Sequence, residues 1–371
     1  MRLAIFLSAF FLARITVAQN YYMFIGTYTS GKSVGIYVYK FNALTGVPAR
    51  VGTVPAKNPS YLALSASGHF LYCVNENGNA VAGGVSAYSF NKATGQLHFI
   101  NERSSGGADP CYVTVNRTGK WALVANYNGG NLSALPIRPN GSLDSLTELI
   151  QHYGKGTVPD RQEKAHVHSV VLSPDERFVC SADLGLDKEM VYRFDPAKTQ
   201  PLTDAPDSFV NAIPGSGPRH FVFNGSKPYA YLIEELSGTV DAYHYSNGQL
   251  IQFQRISTHP EGYQGAIGSA DIHISPDGKF LYASNRGDAN SLAIFSIDPE
   301  NGRLRLLGVQ PTLGKTPRNF IIDPTGHFLL VANQESDNIV IFRINRQTGM
   351  ITPTGKQILI PNPVCIKLLK D

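Results

Sequence analysis

The chain has 371 residues, with 32 Lys and Arg against 28 Asp and Glu and a net charge of +4. So small a surplus, with no run of basic residues, excludes the phosphate-tracking surface of a nucleic-acid binder. The 35 Gly, 23 Pro, 10% aromatic and 16% charged residues favour many short strands joined by tight turns over long solvated helices.

In chain order, the first stretch reads as a leader. Met1-Arg2 precedes an apolar run that reaches Leu12, and Thr16-Val17-Ala18 offers small residues before Gln19. This predicts a signal peptide over 1–18, a mature chain over 19–371, and a periplasmic or secreted protein. The run is too short to span a bilayer, so no membrane association is expected after cleavage. Gly26-Thr27-Tyr28-Thr29-Ser30-Gly31-Lys32-Ser33 fits a phosphate-loop pattern. An alternating run, Val34 to Tyr39, follows it where a helix would be needed, so the stretch reads as a hairpin turn.

From Asn58 onward a unit repeats. Its starts lie near Asn58, Asp109, His166, Gly217, Gly268 and Thr316, roughly 46 to 57 residues apart, the spacing of propeller blades. Each unit has a short apolar run, a turn such as Ser275-Pro276-Asp277-Gly278, and a second run such as Phe328-Leu329-Leu330-Val331-Ala332-Asn333. An aromatic third strand follows, then a fourth after a Gly-containing hairpin such as Asn301-Gly302-Arg303-Leu304. No segment carries sustained helical periodicity. The ends are half-units: Tyr21 to Ile25 and Gly35 to Phe41 resemble second and third strands, and Pro363 to Leu368 a first strand. The expectation is an all-β, seven-bladed propeller closed by pairing the N- and C-terminal strands within one blade, which removes the open edge. Cys73, Cys111, Cys180 and Cys365 are expected as free buried thiols, because they fall in apolar runs of different units.

Charged and polar residues recur at two places that antiparallel pairing brings to one end of each sheet. First-strand starts carry His168, Arg219-His220, His273 and Arg318. Second-strand ends carry Asn75-Glu76, Asn126-Tyr127, Glu234-Glu235, Asn285-Arg286 and Asn333-Gln334. Their convergence on one mouth is the candidate site, since binding residues favour loops on a rigid scaffold. His166-Val167-His168 lacks a metal-ligand partner motif, and neither a metal nor a cofactor is expected. No G-x-S-x-G elbow is present.

The repeat together with His168-Ser169, Gly217-Pro218-Arg219-His220, Glu235-Leu236, Asp271-Ile272-His273-Ile274-Ser275-Pro276-Asp277-Gly278 and Asn285-Arg286 resembles the propeller-type lactonases. These are enzymes similar to 6-phosphogluconolactonase or to the carboxymuconate lactonizing enzyme. The resemblance implies a small-molecule lactone substrate, no required metal, and a catalytic set falling on His168, Glu235, Arg219 and Arg286. Glu234 beside Glu235 leaves two candidates for the acid. Lactone opening needs a base for water, which Glu235 could supply. It also needs an oxyanion stabiliser, Arg219 or His168, with His168 alternatively protonating the ring oxygen. Arg286 and Arg318 would grip an acidic group. His220, His273, Asn126, Asn285 and Asn333 join Arg318 as expected substrate-binding residues. The alternatives in function are a reversible lactonizing isomerase and a non-catalytic propeller that binds a ligand or protein at the same mouth.

Overall fold

Among the described residues, the turn-punctuated apolar runs form 28 strands in seven four-stranded antiparallel sheets. The computed structural model describes residues 19–78, 81–225 and 227–371; the leader expected over 1–18 lies outside them. The innermost strands, Leu62–Leu64, Pro110–Val115, Val167–Leu172, Pro218–Phe223, Ser269–Ile274, Pro317–Ile322 and Pro363–Lys370, neighbour one another around a ring and enclose the central channel. The last of them pairs with Asn20–Thr27, with Met23 opposite Leu368 and Ile25 opposite Ile366, so the two ends of the chain close one blade as expected.

Second strands are buried along their whole length in most blades. Trp121–Asn126, Phe178–Asp183, Tyr229–Glu234, Phe280–Asn285 and Phe328–Asn333 are buried at every position. A strand sandwiched between neighbouring blades has two buried faces, and this accounts for the continuous apolar runs. Neighbouring blades are also tied by tyrosines. Tyr231 Oη donates to the Gly302 carbonyl at 2.7 Å and Tyr282 Oη to that of Gly349 at 2.8 Å, each reaching the outer hairpin of the next blade. Gly302 has φ 72° and a side chain there would strike the Tyr229 ring, so the hairpin requires glycine twice over. All four cysteines are free and buried. Gly26 to Ser33 forms the hairpin between Asn20–Thr27 and Gly35–Asn42.

Two features at the channel mouth position side chains. Asn58, Asp109, Gly217, Thr316 and Asn362 all have left-handed φ, between 39° and 70°, and each precedes a proline that opens or leads into an innermost strand. One residue further on, the ladder slips. The register skips Cys111, His168, Arg219 and Arg318, each a single residue left out between its neighbours' pairings. A bulge frees a residue from strand pairing and re-aims its side chain. The same bulge recurs in four blades and leaves Cys111, His168 and Arg318 lining the channel mouth, with Arg219 behind them.

Glu189 is one of several buried groups without a hydrogen-bond partner among the described residues. Both carboxyl oxygens of Glu189 are buried with no hydrogen bond to any described residue, and burial, then Asp183, pushes its pKa well above the usual carboxylate range. A raised native pKa gives stability that is complete below the unfolded value and is lost as pH rises through the native one. Glu189→Met is therefore expected to raise stability at pH 8 by about 1–3 kcal/mol and to flatten the alkaline side of a Tm-against-pH curve. An unchanged alkaline limb would contradict this.

Candidate active site

The bulged residues of the innermost strands meet the residues just beyond the second strands at one end of the channel. There, Tyr28, Glu76, Cys111, Tyr127, Arg161, His168, Glu235, Arg286 and Arg318 line a cavity of about 200 Å³. Its volume is below the ~300–1,000 Å³ of drug-sized pockets and suits a single small polar ring. Three arginines against two glutamates give the wall a net positive charge.

One wall is built on Glu235. Its Oε2 accepts from Arg219 Nε at 2.8 Å and lies 2.9 Å from Arg286 Nη2, while Oε1 accepts from Arg161 Nη2 at 2.5 Å. Burial alone would push this carboxyl up, but Arg286, Arg219, His168 and Arg161 together hold it well below the usual range. Arg219 is 1% exposed and also donates to the Ala270 carbonyl. Burial and the nearby Arg286 and Arg318 bring its pKa down to about 10. It lies behind Glu235 instead of lining the cavity, so it orients the carboxylate. Arg286 is fixed by the carbonyls of Gly268 and Ser269.

The opposite wall differs. The Arg318 guanidinium lies over the Tyr28 ring, 5.4 Å from its centroid, and makes no hydrogen bond or ion pair with a described residue. Burial disfavours its charge, but Tyr28, Glu76 and Glu235 hold its pKa above the ordinary arginine value. Here is a cation with its donor fork free, facing a cavity. Tyr28 Oη donates to Glu76 Oε2 at 2.8 Å. Between the two walls sit His168 and Cys111. Burial first, then Arg219 and His220, pull the imidazole of His168 well below its usual pKa, so it is neutral. Its Nδ1 faces the Cys111 sulfur at 3.9 Å, and among the described residues its Nε2 has no hydrogen bond. Burial pushes the Cys111 thiol far up, which makes it a poor nucleophile.

The remaining expected residues fall into two groups. His220 and His273 lie deeper, sharing the buried carboxylate of Asp271 at 2.7 and 3.0 Å. Burial, then Arg219, pulls His220 down to about 4, so it is neutral. Asn126, Asn285 and Asn333 are wholly buried and their amides tie adjacent chain segments. Asn126 donates to the Ser105 carbonyl, Asn285 to that of Thr258 and Asn333 to that of Thr312. None of the three lines the cavity. Side chains alternate along a strand, so the last strand residue points between blades and the next one points into the mouth. The same alternation separates the two acids. Glu234 is buried between blades near Arg255 and Asp241, its pKa pushed well up by burial and Asp241, whereas Glu235 lines the cavity.

The chain matches the family described as lactonase, seven-bladed β-propeller, over residues 22–368. It is 39% identical over 344 residues to a 6-phosphogluconolactonase of Formosa agariphila, covering 91% of this chain and 96% of the relative. With that of Bacillus subtilis it shares 35% identity over 358 residues, covering 94% and 99%. Among solved structures it resembles the periplasmic gluconolactonase PpgL of Pseudomonas aeruginosa, with a TM-score of 0.90, 36% identity, and coverage of 94% and 99%.

Proposed function

This chain belongs to the seven-bladed β-propeller lactonase family, and from that premise we propose that it hydrolyses a sugar-acid lactone, in the manner of a 6-phosphogluconolactonase, within the cavity of Arg318, His168 and Glu235. The observation that carries the reading is Arg318: a charged guanidinium stacked on Tyr28, with no hydrogen bond or ion pair to a described residue, lining the cavity. When water adds to a lactone carbonyl the oxygen becomes an alkoxide, and a preorganised cation is the group that lowers that barrier. Neutral His168, with Nε2 free, adds a second contact to the same oxygen or to the ring oxygen that departs. This moves the oxyanion role from Arg219, which is engaged by Glu235, to Arg318.

Glu235 is better suited to holding charge than to taking a proton. Both its oxygens are occupied by guanidinium groups, and a carboxylate held so low is a weak base. Its work is to fix Arg286 and Arg161 at the far side of the cavity. The side chain of Arg161 is 42% exposed and stands at the entrance, where a phosphate or carboxylate on the substrate tail would meet it. The likeness to a periplasmic gluconolactonase and the leader-like residues 1–18 favour a periplasmic or secreted enzyme.

Proton release on adding 6-phosphogluconolactone or gluconolactone, corrected for spontaneous opening, tests the reading. Both lactones are expected to open faster with protein than without. Arg161→Ala is expected to raise KM for the phosphorylated lactone about tenfold, the loss of one charge-assisted contact of ~1.4 kcal/mol, while leaving KM for gluconolactone within about twofold. Wild-type protein that accelerates neither lactone would refute the function. Equal KM changes for both would remove Arg161 from the tail site.

A further inference from the structure

We propose that Glu76 is the catalytic base that activates water for ring opening, an assignment that rests on the lactonase reading of the cavity. Two carboxylates line the space, and of the two Glu76 alone has an oxygen with no hydrogen bond to a described residue. Both oxygens of Glu235 are taken by guanidinium groups. The side chain of Glu76 has one hydrogen bond to a described residue, from Tyr28 Oη to Oε2 at 2.8 Å, and no ion pair. Oε1 is the free oxygen.

The position is built, not incidental. Glu76 directly follows the strand Phe70–Asn75, and its backbone is pinned to Asn58, with Glu76 N donating to the Asn58 carbonyl at 3.2 Å and Asn58 Nδ2 to the Glu76 carbonyl at 2.8 Å. Asn58 holds its left-handed φ of 39° and ties the Tyr28 hairpin through Thr29, whose N–H donates to Asn58 Oδ1 at 2.7 Å. One asparagine thus sets both members of the Tyr28–Glu76 pair. Burial pushes the Tyr28 phenol up, so it stays protonated and keeps donating. Tyr28 also carries Arg318 on its ring, which puts base and oxyanion donor on the same wall.

The step balances within this set. Glu76 Oε1 takes a proton from water while the water oxygen bonds to the lactone carbonyl carbon, and the carbonyl π pair moves to oxygen beside Arg318 and His168. The carbonyl then re-forms, the bond from carbon to ring oxygen breaks, and the proton held on Glu76 passes to the departing oxygen. The product is the hydroxy acid, whose carboxyl proton goes to solvent. No other donor or acceptor is required.

The test uses the full chain and the same two lactones. Glu76→Gln is expected to lower kcat by about 10²–10⁴-fold with KM within about threefold. Binding of 6-phosphogluconate, measured by calorimetry, is expected to stay within about threefold of wild type. Glu76→Ala is expected to recover activity in proportion to added formate, as a missing base would and a missing brace would not. An active wild type beside a Glu76→Gln variant within threefold of it overturns this assignment alone. Loss of activity together with loss of 6-phosphogluconate binding and no rescue by formate overturns it too, in favour of a bracing role. An inert wild type overturns the lactonase reading itself and the base with it.

Discussion

Arg318→Met is expected to lower kcat for lactone opening by about 10²–10³-fold, the usual loss on removing one oxyanion donor, with a much smaller change in KM. The reasoning is that this guanidinium gains most of its bonding only when charge appears on the carbonyl oxygen. An interaction stronger in the transition state than in the ground state appears in kcat. Methionine keeps the length and packs against Tyr28, so the fold should persist; the bulge that presents position 318 depends on the backbone register between Pro317 and Asn319. Arg318→Lys is expected to recover little, because a point charge cannot reproduce a planar fork. Steady-state kinetics on both lactones decides it. A rise in KM with kcat unchanged would reassign Arg318 to ground-state binding of an acidic group.

The second large effect concerns stability as much as rate. Glu235→Gln leaves Arg219, only 1% exposed, facing a neutral amide, with Arg286 and Arg161 beside it. Removing one partner of a buried ion pair costs about 3–5 kcal/mol, which denaturant unfolding would report as a fall in midpoint at unchanged slope. Because the native pKa of Glu235 lies below its unfolded value, its contribution is complete above that unfolded value. It is lost as pH falls through the native one. Wild type should therefore lose stability below about pH 4 more steeply than the variant. Adding Arg219→Met to Glu235→Gln should restore part of the stability and none of the activity. Full activity in Glu235→Gln would show that the anchored arginines do not matter to the reaction.

The blade count, the strand order within a blade and the closure by the two ends were all legible in the sequence, because turn chemistry and apolar runs repeat at near-constant spacing. The mouth was legible to within one residue. Asn75-Glu76, Asn126-Tyr127, Glu234-Glu235 and Asn285-Arg286 all stood out as strand ends, yet in each pair it is the second member that lines the cavity. Alternation along the strand carries that information, and a strict count from the buried strand interior would have recovered it. His168, Arg219 and Arg318 share the bulged position; Cys111 shares it too but carries no charge to draw notice. His273 sits further along its strand and faces Asp271 instead. Tyr28 lay hidden in a hairpin that resembled a phosphate loop. Arg161 belongs to the connection between Glu148–Gln151 and Val167–Leu172, outside the repeating unit, and no periodic argument reaches it.

The pairing of Pro363–Lys370 with Asn20–Thr27 has a consequence for the order in which the molecule can be made. A ribosome releases Asn20–Thr27 first and its inner partner last of all these strands, more than three hundred residues later. Until then six blades can assemble against their neighbours, but the seventh lacks its inner strand. The arc cannot become a ring, and Gly26 and Arg318, on either side of the gap, have no fixed separation. The cavity wall that joins Tyr28 to Arg318 spans that seam. Activity should therefore appear only once Pro363–Lys370 has paired, as a late and all-or-none event, while native-like blade structure accumulates ahead of it.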